Sequence, residues 1–366
     1  MADSKSDLEW RLETQNNNFN LLRLIASILV IFSHSFELIS AYSPEGFADP
    51  LRPRFGYSIG GIAVDIFFFA SGLLCARSLK YSRNVTKFLR KRVMRIWPGL
   101  VACVLLSVVI LGIIFHREDL SSYLGNKETL KFCFLNCTLV FGLHVNLPGI
   151  FYENPFNPSV NGSLWTLPRE VGMYLTLAAS GLAANSLREN RTYQNTWLCR
   201  HWLQIIGSVW ILLSGTLLYL QIARSGAPPF WEPSRFFYMF GAGVFSYAFL
   251  RFLDMRKLYF LFLQVGGGML VGGIFYIPLV KYLYPVGLPL LVFCFGFGRY
   301  PLLERFKGAP DYSYGLYLYA WPCQQLLVHF LPNISVQQLF GSALLTTACI
   351  AAMSWHIIEK PMLRLK

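Results

Sequence analysis

Charge is scarce in this chain. Only 14% of its 366 residues are Asp, Glu, Lys or Arg, whereas a soluble domain carries roughly a quarter. No stretch is long and polar enough to form a second, soluble domain. Acids are scarcer than bases, 19 against 32, which leaves a formal net charge of +13. The eight cysteines are scattered, most of them in apolar runs where a free thiol behaves as a small apolar group. No Cys/His spacing suggests a metal site. Cys133 and Cys137 stand four apart, a spacing that suits a disulfide poorly on a regular helix. No repeat of 20–50 residues is visible. The opening "MADSKSDLEWRLETQNNNFN" lacks the short apolar core and small-residue cleavage site of a secretory signal. The glycines of "VGGGMLVGG" (265–273) sit inside an apolar run and read as close helix packing, not as a phosphate cradle.

Apolar sequence fills the rest. Windows of about 17–20 apolar residues recur, each long enough to cross a hydrocarbon core roughly 30 Å thick. They predict an all-α fold: a polytopic integral membrane helix bundle of about ten transmembrane helices. The spans fall near 22–41, 59–77, 97–115, 163–184, 204–222, 235–251, 258–277, 284–298, 312–330 and 337–357. With the N-terminus inside, most of the 32 lysines and arginines lie on the cytoplasmic side. That positive-inside bias explains the basic charge without a nucleic-acid partner. An even number of spans puts both termini in the cytoplasm. Residues 1–21 then form a cytoplasmic segment, 22–358 the transmembrane domain and 359–366 a cytoplasmic tail. The one long outward segment, 116–162, has an apolar centre at 130–143 that is short for a span. It reads as a re-entrant or interfacial helix, or as a surface helix over the core. An eleventh span would turn the basic loops at 185–203, 251–257 and 299–308 outward, against the bias.

Ionisable residues at membrane depth are costly and point to function. In "NLLRLIASILVIFSHSFEL", Arg23 and His34 are eleven residues apart, so they share a helix face about 16 Å apart along the axis. Arg23 falls at the cytoplasmic boundary and His34 past the midplane, while Glu37 is close enough to the outer end to need no role. Asp65 in span two and Glu170 in span four fall at depths of about 9–10 Å from the outer side, similar to His34. A histidine near carboxylates is a general-base arrangement; a network that only pins helices together would need the same residues. "RSLKYSRNVTKFLRKRVMRIWP" (77–98) carries eight basic residues and no acid. Topology alone would explain it. Arg92 and Arg95, one turn apart, would also grip phosphate bidentately.

These motifs resemble the membrane-bound acyltransferase-3 family over about residues 16–363. Arg23, ten residues and His34 match its first-span pattern. "GGIAVDIFFFASGLL", Arg92-x-x-Arg95, "SLWTLPREVGMYL", "DYSYGLYLYAWP" and "WHIIEKP" are similar to its other signatures, in order. Trp165-Thr166-Leu167 departs from the family's usual Trp-Ser-Leu. The resemblance implies a stand-alone O-acyltransferase of the bacterial inner membrane, without the soluble C-terminal domain of some relatives. The donor would be acyl-CoA, foremost acetyl-CoA, as co-substrate, with no bound cofactor or metal. The acceptor would be a sugar hydroxyl of a surface or lipid-linked glycan. His34 would be the base, with Arg23, Glu170 and Asp65 as further catalytic residues; Arg92, Arg95 and Lys91 would bind the acyl-CoA phosphates. The alternative is a proton-coupled transporter or exporter using His34, Asp65 and Glu170 as a relay. It leaves Arg92 and Arg95 unexplained, and no inverted repeat supports it.

Overall fold

Helix is the regular secondary structure found among the described residues, and they carry no strand. The computed structural model describes residues 7–40, 49–82, 84–140, 142–156, 158–189, 196–225 and 233–365. Parts of several predicted regions therefore lie outside the described residues: 1–6 of the N-terminal segment, 41 of the first span, 83 of the basic stretch 77–98, 141 and 157 of the segment 116–162, 190–195 of the loop 185–203, and 366 of the tail. Ten long helices correspond one to one with the predicted spans: α1 (Phe19–Ser40), α2 (Ile59–Tyr81), α3 (Val85–Phe115), α4 (Leu167–Glu189), α5 (Trp202–Ser225), α6 (Pro233–Phe249), α7 (Met255–Phe275), α8 (Ile277–Phe297), α9 (Ser313–Phe330) and α10 (Val336–Ser354). Among the described residues, seven helices are long and apolar enough to cross a membrane: α1, α2, α3, α5, α7, α8 and α10. Helices α4, α6 and α9 fall short of that standard, and the bundle's polar interior lies against them.

Side-chain contacts fix the relative directions. Arg23 at the start of α1 meets Asp311 just before α9, and His34 further along meets Trp321. Thus α1 and α9 run parallel. On α3, the Ile96 carbonyl accepts the Tyr314 hydroxyl near one end, and Phe115 packs on His329 near the other, so α3 runs the same way. Helix α2 runs opposite, with Gly60 against Ser33. Helices α6 and α8 follow α2: Arg235 and Tyr284 near their starts both meet Asp65. Helices α2 and α6 cross at backbone contact. A Cβ on Gly72 would lie 2.0 Å from the Phe240 carbonyl oxygen, and one on Gly243 2.1 Å from that of Phe69. Only glycine permits that approach.

Local signals set the helix starts. Ser58 caps α2, accepting from the Gly61 N–H, and Ser335 and Gln338 form a capping box on α10. Asn84 caps α3, which begins twelve residues before the predicted span. The stretch 85–96 is too basic to look membranous, yet nothing in it breaks a helix. Pro98 lies inside α3; it removes one backbone bond without ending the helix.

The described residues of the segment 116–162 include two short α-helices, Leu120–Gly125 and Lys127–Thr138. The longer has 12 residues, about 18 Å, too short to cross. It lies along α3 as a surface helix, burying Phe132 and leaving Leu130 and Phe134 exposed. Cys133 and Cys137 are free thiols.

Beyond these helices, the described residues from Asn154 to Ser163 run into the bundle, antiparallel to α9. Asn154 donates to the carbonyl oxygen and side chain of Gln325. The Ser159 carbonyl accepts from Trp321 and Gln325. Asn161 donates to the Leu318 carbonyl, and Tyr317 donates to that of Ser163. Irregular backbone survives at this depth because each of these polar groups finds a protein partner. The descent corrects the expected depth of Glu170. Helix α4 starts inside the bundle, and Glu170 lies beside Ser71, twelve residues down α2 from Ile59, about 18 Å instead of 10 Å.

Candidate active site

Three cavities follow one another between the ends of the bundle. The first opens where α1, α3 and α9 begin and is lined by Arg23, Lys91, Arg92, Arg95 and Asp311, among others. Arg23 Nη1 and Arg95 Nη2 each lie 2.7 Å from Asp311 Oδ2. Burial alone would raise the Asp311 pKa, but the two guanidiniums hold its carboxyl well below the usual carboxylate range, helped by bonds from Ser313. Arg95 also lies over the Tyr314 ring, 5.5 Å from its centroid. Arg92 is cradled between Phe88 and Tyr174, 5.7 Å from each centroid. Lys91 donates to Ser82 Oγ at 3.3 Å. The four basic residues singled out by sequence therefore meet at one mouth.

Arg23, Leu74, Arg92 and Arg95 also line the second cavity, so the two adjoin. This central cavity is small, about 90 Å³. Its walls are mainly apolar and aromatic, with one polar cluster. Glu170 Oε1 accepts the Ser71 hydroxyl at 3.1 Å and makes a short hydrogen bond with the Tyr174 hydroxyl. Ser71 and Tyr174 are 3.0 Å apart.

Val64 and Tyr317 line both the second cavity and the third. The third contains His34, Glu37, Trp165 and Arg235. The His34 ring meets Trp321 edge to face, centroids 4.7 Å apart. Its Nδ1 is buried and has no hydrogen-bond partner among the described residues. Glu37 stands one turn further along α1 and faces the same cavity.

The structure thus separates residues that the sequence grouped by depth. Arg23 is at the mouth, Glu170 in the central cavity and His34 in the outer one. Asp65 is fully buried and takes the Tyr284 hydroxyl on Oδ2 at 2.6 Å. Its Oδ1 lies 3.1 Å from Arg235 Nε. Neither Asp65 nor Glu170 is among the residues lining the His34 cavity. Sequence reasoning passed over Asp311, Arg235 and Glu37. Asp311 heads a quoted motif, and its acid next to an apolar run was a usable signal. Arg235, at the head of span six, carries no local signal that sets it apart from a boundary charge. Glu37 was set aside for lying near a helix end, although its spacing from His34 put both on one face.

Comparison with known proteins gives three findings. The acyltransferase-3 family, described as an acyltransferase domain, matches residues 16–355. The chain is 30% identical to a protein named O-acetyl transferase from Shigella phage Sf6, covering 95% of this chain and 96% of that one. It is 24% identical to nodulation protein 10 of Rhizobium leguminosarum bv. viciae, covering 96% and 94%. No solved structure matches it.

Proposed function

The chain belongs to the acyltransferase-3 family, and from that premise we propose that it is an O-acetyltransferase of the bacterial inner membrane. It moves an acetyl group from cytoplasmic acetyl-CoA to a sugar hydroxyl of a surface or lipid-linked glycan. The observation that carries this reading is the row of adjoining cavities, from a mouth of arginines to His34. The name of the phage relative supports acetyl as the group transferred. The topology that goes with it has ten spans and both termini in the cytoplasm. The alternating helix directions and the basic mouth support that topology.

The donor's phosphates bind Arg92 and Arg95, with Lys91 and Arg23 adding charge. Its long arm lies in the central cavity, where Ser71, Glu170 and Tyr174 offer hydrogen bonds to its amides. The thioester then reaches the His34 cavity, about 16 Å along α1 from Arg23. The acceptor enters the same cavity from the opposite side. His34 takes the proton of the sugar hydroxyl, the oxygen attacks the thioester carbonyl carbon, and the thiolate leaves with that proton.

The test is transfer of labelled acetyl from acetyl-CoA into the glycan fraction of native membrane vesicles. Wild-type protein transfers label, and His34→Ala, inserted at equal level, loses at least about 100-fold, the scale of a lost general base. Label transfer by His34→Ala at the wild-type rate removes His34 from the chemistry. No acetyl-CoA consumption by the wild type rejects the whole reading.

A further inference from the structure

We infer that Arg235 is a catalytic residue for this reaction, stabilising the oxyanion that forms on the acetyl carbonyl, and that Asp65 is the positioning residue that aims it. The inference rests on the reading above and gives Asp65 a role apart from His34. Three observations carry it. Arg235 is 1% exposed, yet it lines the cavity that holds His34. Its guanidinium lies across the Tyr57 and Phe236 rings, 5.8 Å and 4.8 Å from their centroids. Asp65 pairs with it at Nε, on the stem side of the guanidinium. Asp65 is itself fixed by Tyr284, which stacks on Tyr57 with centroids 4.1 Å apart. The arrangement is a cation clamped by a carboxylate and two rings at the edge of a reaction cavity.

Acyl transfer needs such a group. When the sugar oxygen bonds to the carbonyl carbon, the C=O electron pair moves onto oxygen. A preorganised cation there lowers the barrier without reorganising. When the pair returns, the C–S bond breaks, and the thiolate takes the proton that His34 holds. Once protonated, His34 must keep its N–H aimed at the sugar oxygen and then at the leaving sulfur, so the carbonyl oxygen calls for a second group. Among the residues lining the His34 cavity, Arg235 is the permanent cation.

A buried ion pair could equally serve only the fold, and removing one member would leave the other charge stranded. The test therefore removes both charges and keeps the shapes. The double variant D65N/R235Q is compared with wild type and with Arg235→Lys in vesicles, using labelled acetyl-CoA at saturation. CoA binding to the purified proteins is measured in parallel. The expected result is folded double variant, CoA affinity within about threefold of wild type, and acetyl transfer reduced at least about 100-fold. Arg235→Lys keeps the charge and loses less, about tenfold. Wild-type transfer by the double variant would reduce the pair to a structural role and leave the proposed function standing. Loss of CoA binding together with transfer would also overturn the inference, because it would place the pair's effect on the donor.

Discussion

Arg92 and Arg95 admit two explanations, of which the basic stretch by itself favours topology. A basic stretch that only enforces topology needs charge, and lysine supplies it as well as arginine. A phosphate site needs the planar fork of the guanidinium. Here Arg95 shares one carboxylate oxygen of Asp311 with Arg23, and Arg92 lies between two rings. Both are held at the mouth in definite orientations, unlike side chains merely spread over lipid headgroups. The double exchange of Arg92→Lys and Arg95→Lys is therefore expected to insert normally and to weaken acetyl-CoA about tenfold or more, on the order of 1.4 kcal/mol. Equilibrium binding of acetyl-CoA checks it, and unchanged affinity would return these residues to topology. The meeting of these basic residues was legible because Arg23, Arg92, Arg95 and Lys91 are near helix starts, where position along the chain fixes height in the bundle. The surroundings of His34 were not legible, because spacing in one helix says nothing of which neighbour turns toward it. Arg235 belongs to α6 and faces His34's cavity only through the packing of α6 on α2.

Among the helices, the α2–α6 crossing is the least forgiving. Gly72→Val would drive a branched side chain into the Phe240 carbonyl, where the backbone of α6 cannot yield without the helices parting. We expect the purified variant to lose its cooperative thermal transition. Gly268→Ala is the control, since a Cβ there meets nothing within 4 Å, and its transition should stay within a few degrees of wild type. The glycines of "VGGGMLVGG" did not all behave as their pattern suggested. Gly266 and Gly273 do pack closely on α8, against the Gly287 carbonyl and Val280, but Gly267 and Gly268 face open space. The existence of all ten long helices was readable from apolar run length. Their ends were less so. Hydropathy marks where a chain meets lipid, and helix continues beyond that in the basic start of α3. It also fails where a polar segment enters the bundle, as at 154–166, whose membrane depth rests on bonds to α9 that no local pattern announces.

On the scale of the whole molecule, each of the three long helices that fall short of a membrane span by length or apolarity brings polar groups to the interior, as α1, α2 and α3 also do. Helix α4 brings Glu170 and Tyr174, α6 brings Arg235, and α9 brings Tyr314 and Tyr317. In α4 and α9, which are long enough, the reduced hydropathy and the role share a cause, since a helix that faces a polar path has less need to face lipid. The ten-span topology predicts opposite sides for two exposed positions. With an impermeant thiol reagent on intact cells, Glu128→Cys should be labelled and Glu189→Cys should be protected until the cells are opened. Labelling of Glu189→Cys in intact cells would reverse the topology assigned to α4.

The narrow place between the central and outer cavities, where Val64 and Tyr317 serve both walls, has an electrical consequence. A membrane voltage falls mostly across whatever separates two water-accessible compartments, so on the proposed topology it would fall across that septum. Moving one elementary charge through it would cost or release about 2.3 kcal/mol per 100 mV. On the proposed route the coenzyme's phosphates stay with Arg92 and Arg95 on one side, and only the uncharged end of the donor passes. On that route the acetyl group would cross with almost no electrical work, and its transfer would be independent of how strongly the cell is energised.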